Sequence, residues 1–129
     1  METSAPDTLI LFAHGARDAG WRVPVDALAA RLRAAQPGLR VEPAFLDFMQ
    51  PPLAQAVEAA VAGGARRVAV APVFWAPGGH LRTDVPMLLE EERRRHPGVR
   101  FELWPAMGEC PEVLDALTEV YGALWRRGG

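Results

Sequence analysis

The chain has 129 residues, half of them apolar and 23% charged, with 16 acids against 14 bases and one cysteine. That length suits one domain with its own core, and a net charge of −2 does not suit nucleic acid or an anionic membrane surface. A lone cysteine excludes an intrachain disulfide or a zinc site of several thiolates. There is no lysine for a Schiff base or a phosphate loop, and the only serine, Ser4, leaves a serine hydrolase without a nucleophile on a rigid turn.

Residues 1–7 read as a flexible tail without the basic-then-apolar pattern of a leader. No apolar run reaches the roughly 18 residues that span a bilayer, so residues 8–127 are expected to form one cytoplasmic domain. Leu9 to Ala13 is continuously apolar, the pattern of a strand buried on both faces. Val25, Leu28, Ala29 and Leu32 then recur at helical spacing, and Pro37-Gly38 ends that helix. Val41 to Leu46 is a second strand, with Glu42 and Pro43 marking a partly open side. Pro51-Pro52 opens a helix that buries Leu53, Ala56, Val57, Ala60 and Val61, ended by Gly63-Gly64.

The most apolar strand, Val68 to Phe74, is expected at the centre of the sheet. Leu81 to His96 reads as a helix whose Glu90 to Arg95 stretch is exposed, acids before bases as the helix dipole favours. Val99 to Trp104 is a fourth strand. Pro111 to Trp125 is a last helix with Val113, Leu114, Leu117, Tyr121 and Leu124 turned inward. The order βαβαβαβα with short connections predicts a mostly parallel four-stranded sheet with helices on both faces.

Such sheets bind ligands outside the carboxyl ends of their strands. His14 closes the first apolar run, Asp47 the second and His80 the third, 33 residues apart on each side, so one edge of the sheet receives two histidines and a carboxylate. That trio suits metal handling or proton transfer. Each member also has a plainer reading: His14 as a turn residue, Asp47 as a cap for the next helix. Gly78-Gly79 before His80 lets the backbone bend close to a bound molecule. Arg17, Arg22 and Arg82 flank the edge and suit substrate carboxylates, Arg17 and Arg82 more so because each is within three residues of a site histidine. Trp75 or Phe74 can floor a pocket for a flat ligand, the other joining the core. His96 is expected at a solvated helix end, and Cys110 as a small helix-start residue rather than a ligand. No Gly-x-Gly-x-x-Gly or phosphate-loop pattern supports a nucleotide cofactor.

Several strings together resemble the small sirohydrochlorin chelatases of the CbiX/SirB type, within the class II chelatases. They are His14-Gly15-x-Arg17, Phe45-Leu46-acid-x-x-x-Pro51, Gly64-Ala65-x-x-Val68, and Pro72-Val73-Phe74 followed by Gly79-His80 and Asp84-x-Pro86. The resemblance implies a single-domain flavodoxin-like chelatase fold. It also implies ATP-independent insertion of Co²⁺ or Fe²⁺ into sirohydrochlorin or a related tetrapyrrole, for cobalamin or sirohaem synthesis, with Ni²⁺ inserted by related enzymes. Short members are homodimers. His14 and His80 match the family's metal-site histidines, Asp47 falls where the family commonly has Glu, and Ala16 replaces its usual Ser. On this reading His14, His80 and Asp47 are the catalytic and metal residues, while Arg17, Arg82, Gly79 and Trp75 bind substrate. A carrier that binds metal or tetrapyrrole without turnover is the second reading, and an unrelated acid–base enzyme the third.

Overall fold

The computed structural model describes residues 5–79 and 81–128. His80, named above as a site residue, and the start of the tail, residues 1–4, lie outside the described residues. Four strands, β1 (Thr8–Ala13), β2 (Arg40–Phe45), β3 (Arg67–Pro72) and β4 (Arg100–Leu103), form one parallel sheet in the order β2-β1-β3-β4. Four helices alternate with them: α1 (Val23–Ala35), α2 (Leu53–Ala62), α3 (Leu81–Arg95) and α4 (Pro111–Arg126). Short 3₁₀ turns at Ala19–Arg22 and Met107–Glu109 were not anticipated.

The strand order follows from the side chains. Every residue of β1 is buried, as a strand between two neighbours and two helical layers must be. β2 mixes buried and half-buried residues because it lies at the edge. An edge tolerates the missing amide donor of Pro43, which is in register with Leu11 of β1. β3 shares the centre with β1, Leu9 standing opposite Val41 on one side and Ala69 on the other.

Strand alternation sends side chains to two cores. On one face Ile10, Phe12, Val68, Val70 and Phe101 pack under α2 and α3. On the other Leu9, Leu11, Val41 and Ala69 pack under α1. The right-handed crossover rule accounts for this split, since the chain moves one way across the sheet through α1 and the opposite way through α2 and α3. Asp7, in the segment read as a tail, accepts hydrogen bonds from the Arg66 and Arg67 amides at 2.8 and 3.0 Å and so is anchored to the start of β3.

Four expectations need correction. α4 forms as a helix but none of its residues is buried. The face expected to turn inward leaves Leu114, Tyr121 and Leu124 exposed, with Trp125 81% exposed beside them, because among the described residues no strand packs beneath it. Leu28 is also exposed, and of α1 only Ala29 is fully buried. In α3 the Glu90 to Arg95 stretch is not uniformly solvated: Glu92 is 3% exposed and sits on the inner face with Val85 and Leu89. His96 is half-buried with it, its Nε2 3.9 Å from Glu92 Oε1. Among the described residues no helix is long and apolar enough to cross a membrane.

Candidate functional site

β1 and β2 end in register at Ala13 and Phe45, and the ladder continues past their ends. The Leu46 amide donates to Ala13 O at 2.9 Å and the Asp47 amide to His14 O at 3.0 Å. On the other side of β1, the Val73 amide donates to Phe12 O at 2.9 Å. The loops bearing His14 and Asp47 are therefore joined through their main chains, one residue beyond β1 and two beyond β2.

Gly15 makes this approach possible. Its φ is +95°, and a Cβ built there would fall on the Asp47 carbonyl oxygen. Only glycine combines that backbone angle with that clearance. The His14 and Asp47 side chains themselves remain exposed, so the backbone is fixed while the imidazole and the carboxylate face solvent.

Directly after Asp47 the chain makes a three-residue turn, the Met49 amide donating to Asp47 O at 2.8 Å. Its central residue, Phe48, has φ 66°, a left-handed conformation that bulky residues rarely hold. The Arg17 guanidinium lies over the Phe48 ring, 4.5 Å from its centroid, so the first and second loops also meet through a cation–π contact. Arg22 is taken up structurally. It pairs with Asp26 at 3.0 Å, donates to Gln50 O at 3.0 Å and covers the Phe45 ring.

The loop after β3 divides its two aromatics as expected, Phe74 packing against the core and Trp75 remaining 55% exposed. Gly108, after β4, lies so close to Trp75 that a Cβ would overlap the Trp75 carbonyl and ring. The fourth loop is thus seated against the third. Gly79 has φ 52°, and Arg82 is exposed on the first turn of α3. Arg82 lines a cavity of about 120 Å³ with Phe74, Leu81, Val85 and Glu109. Cys110 stands at the start of α4, as expected, with its thiol 3.6 Å from Ala106 O.

His14, Asp47, Arg17, Trp75, Gly79 and Arg82 all lie on the loops and helix start beyond the carboxyl ends of the strands. Among the described residues no three His, Cys, Asp or Glu side chains gather closely enough to hold a metal ion. Phe48 was missed from sequence; the Gly108-Glu109-Cys110 turn was expected at this edge, but not its close seat on Trp75. Neither a left-handed phenylalanine nor a glycine pressed against a distant backbone leaves a local pattern to read.

This architecture defines an α/β domain that presents its polar chemistry on one open sheet edge. The chain belongs to the CbiX family, whose family model matches residues 8–123. It is 34% identical over 77 residues to a sirohydrochlorin cobaltochelatase from Priestia megaterium, a stretch covering 60% of this chain and 25% of the relative. It is 26% identical over 113 residues to the chloroplastic sirohydrochlorin ferrochelatase of Arabidopsis thaliana, covering 88% and 50% respectively. The crystal structure of a CbiX protein from Marinobacter aquaeolei VT8 superposes with a TM-score of 0.83 at 31% identity, covering 95% of this chain and all of the other. The chain spans only 25% to 58% of the length of the first curated relatives it matches.

Proposed function

We propose that this chain is a sirohydrochlorin chelatase that inserts a divalent metal, cobalt or ferrous iron, into sirohydrochlorin or a close relative without ATP. The observation that carries the reading is the main-chain junction between His14 and Asp47, closed by Gly15 at the edge of a CbiX-family sheet. The balance of the reaction is simple: the ion enters the macrocycle and two pyrrole N–H protons leave.

In the proposed mechanism the metal is substrate. His14 and His80 hold it through imidazole nitrogens, which suit borderline ions such as Co²⁺, Fe²⁺ and Ni²⁺. A small ligand set with open positions lets the ion leave again, where a closed tetrahedral set would retain it. As the ion transfers, the histidines take up the pyrrole protons. Asp47 stabilises the histidine cation or completes the ligand set. Arg17 and Arg82 meet the carboxylates of the macrocycle, and Gly79 and Trp75 border it.

We further propose that the functional unit is a cytoplasmic homodimer with α4 at its seam. Leu114, Leu117, Tyr121 and Leu124 follow a three-and-four spacing along α4, and Trp125 adds to the same exposed apolar surface. That spacing is what a partner helix requires. A second copy of this chain is the proposed occupant, as in the short, homodimeric members of the family it resembles.

The test is anaerobic absorbance of sirohydrochlorin with Co²⁺, Fe²⁺ or Ni²⁺, with and without the protein. A protein-dependent rate that falls about 10²-fold or more in His14→Ala, His80→Ala and Asp47→Ala supports the assignment. A spectral shift without acceleration by any metal overturns it in favour of a carrier.

A further inference from the structure

We infer that Phe48, with Arg17 fixed on one face of its ring, is the stacking platform that selects a flat, conjugated, polyanionic macrocycle. The inference rests on the tetrapyrrole reading above and assigns it a specificity-determining residue.

Two features of Phe48 are unfavourable in the isolated chain. The residue is 56% exposed, which forgoes the burial that ordinarily stabilises an aromatic side chain. Its backbone has φ 66° in the turn closed by the Met49 amide, where glycine or asparagine would sit with less strain. The turn itself therefore does not call for phenylalanine. A strained residue held at a polar edge, next to a candidate catalytic carboxylate, points to a role in function.

Arg17 gives that role its chemistry. Its guanidinium lies 4.5 Å from the Phe48 centroid and reaches across from the loop that carries His14. The contact fixes the ring between the two loops, yet more than half of Phe48 remains open. A planar ligand stacked on the open part meets aromatic carbon on its face. The edge of the Arg17 guanidinium keeps N–H donors for carboxylates at the ligand's periphery. Phe48 follows Asp47 directly in sequence, so a macrocycle held there lies against the loop that carries the carboxylate. Trp75, the exposed aromatic of the third loop, borders the same edge.

The experiment is a metal-free titration of the protein with sirohydrochlorin, read by absorbance, alongside thermal melting and insertion kinetics. The variants are Phe48→Gly, Phe48→Leu and Phe48→Tyr. In Phe48→Gly the turn is relieved of strain, so melting is expected to stay level or rise. Dissociation constant and KM are expected to rise about 5- to 150-fold, the range for losing one aromatic stacking partner, with kcat little changed. Phe48→Leu keeps apolar bulk but loses the aromatic face and should fall between; Phe48→Tyr should restore binding. If the wild type binds and Phe48→Gly binds equally tightly, or melts lower with unchanged affinity, Phe48 is only a clip between loops and the inference fails alone. If the wild type binds no sirohydrochlorin, the chelatase reading fails and takes this inference with it.

Discussion

Gly15 is where the structure makes its most quantitative demand. Three glycines separate the contributions that a Gly→Ala substitution can make. Gly38 has no positive φ and nothing near its Cβ position, Gly64 has φ +101° with open space, and Gly15 has φ +95° with the Asp47 carbonyl in the way. Gly38→Ala should be neutral or stabilise slightly, about 0.4–1 kcal/mol at most, by restricting the unfolded chain. Gly64→Ala adds the left-handed penalty of roughly 1–2 kcal/mol, partly offset by that same restriction. Gly15→Ala carries the same penalty and about 1–3 kcal/mol more for overpacking. The obstruction is backbone already engaged by the Met49 amide, so it cannot swing aside as a side-chain tip would. At about 4 °C per kcal/mol for a domain of this length, Gly64→Ala should melt about 4 °C below wild type and Gly15→Ala about 8–16 °C below. Thermal unfolding followed by circular dichroism measures all three. Gly15→Ala melting within about 2 °C of Gly64→Ala would refute the close junction of the His14 and Asp47 loops.

Three further outcomes follow from features away from that junction. Leu117→Glu and Tyr121→Glu on α4 should convert a dimer to monomer by light scattering while leaving the circular dichroism spectrum intact, because no residue of α4 is buried within the chain; a wild type already monomeric, or dimers unaffected by both changes, would refute the α4 seam. Glu92 is buried, and among the described residues its Oε1 finds no hydrogen-bond partner while its Oε2 has only the exposed Arg95 at 3.3 Å. Glu92→Met should therefore be neutral or stabilising, and a loss above about 3 kcal/mol in denaturant unfolding would show that the carboxylate is better served than this geometry indicates. On the exposed side of α3, the hydrogen bond and charge of Arg94 hold the Glu91 carboxyl below its ordinary range. Its contribution to stability is present above that ordinary range and is lost as pH falls through the lowered value, so the melting difference between wild type and Arg94→Ala should be small at neutral pH, vanish in acid, and shrink with added salt.

What could be read from sequence was whatever a short apolar period decides. Leu9 to Ala13 can only be a strand buried on both faces, and the β1 burial pattern bears that out. Leu53, Ala56, Val57 and Ala60 gave α2 its inner face correctly. The same reasoning found the helix in Pro111 to Trp125 but misassigned what covers it. Periodicity shows that one face is apolar and says nothing of whether the chain itself supplies the cover. Glu92 was placed in solvent because its neighbours are charged, although its position seven residues after Val85 puts it on the buried face. Placing His14 and Asp47 on one edge required only the strand–helix alternation. Their junction depended on Gly15 meeting Asp47 across 32 residues, and on Phe48 holding an angle its side chain disfavours. Neither fact is local.

The junction also explains how one edge can be both rigid and open. A site that hands an ion onward needs ligands in fixed relative positions, yet without a closed shell that would retain the ion. Here the main chain supplies the fixity. His14 O accepts from Asp47 N–H, Leu46 N–H reaches Ala13 O, and Val73 N–H reaches Phe12 O, so the sheet's hydrogen bonding continues past the ends of its strands. On the chelatase reading proposed above, the exposed side chains of His14 and Asp47 exchange ions and protons with little movement of their backbone. Mutation should separate these roles. Removing the His14 imidazole should reduce insertion while leaving the melting temperature nearly intact, whereas adding a single methyl at Gly15 should lower both together. If His14→Ala instead melted as low as Gly15→Ala, the imidazole would be part of the scaffold, and the division of labour between backbone and side chain would not hold.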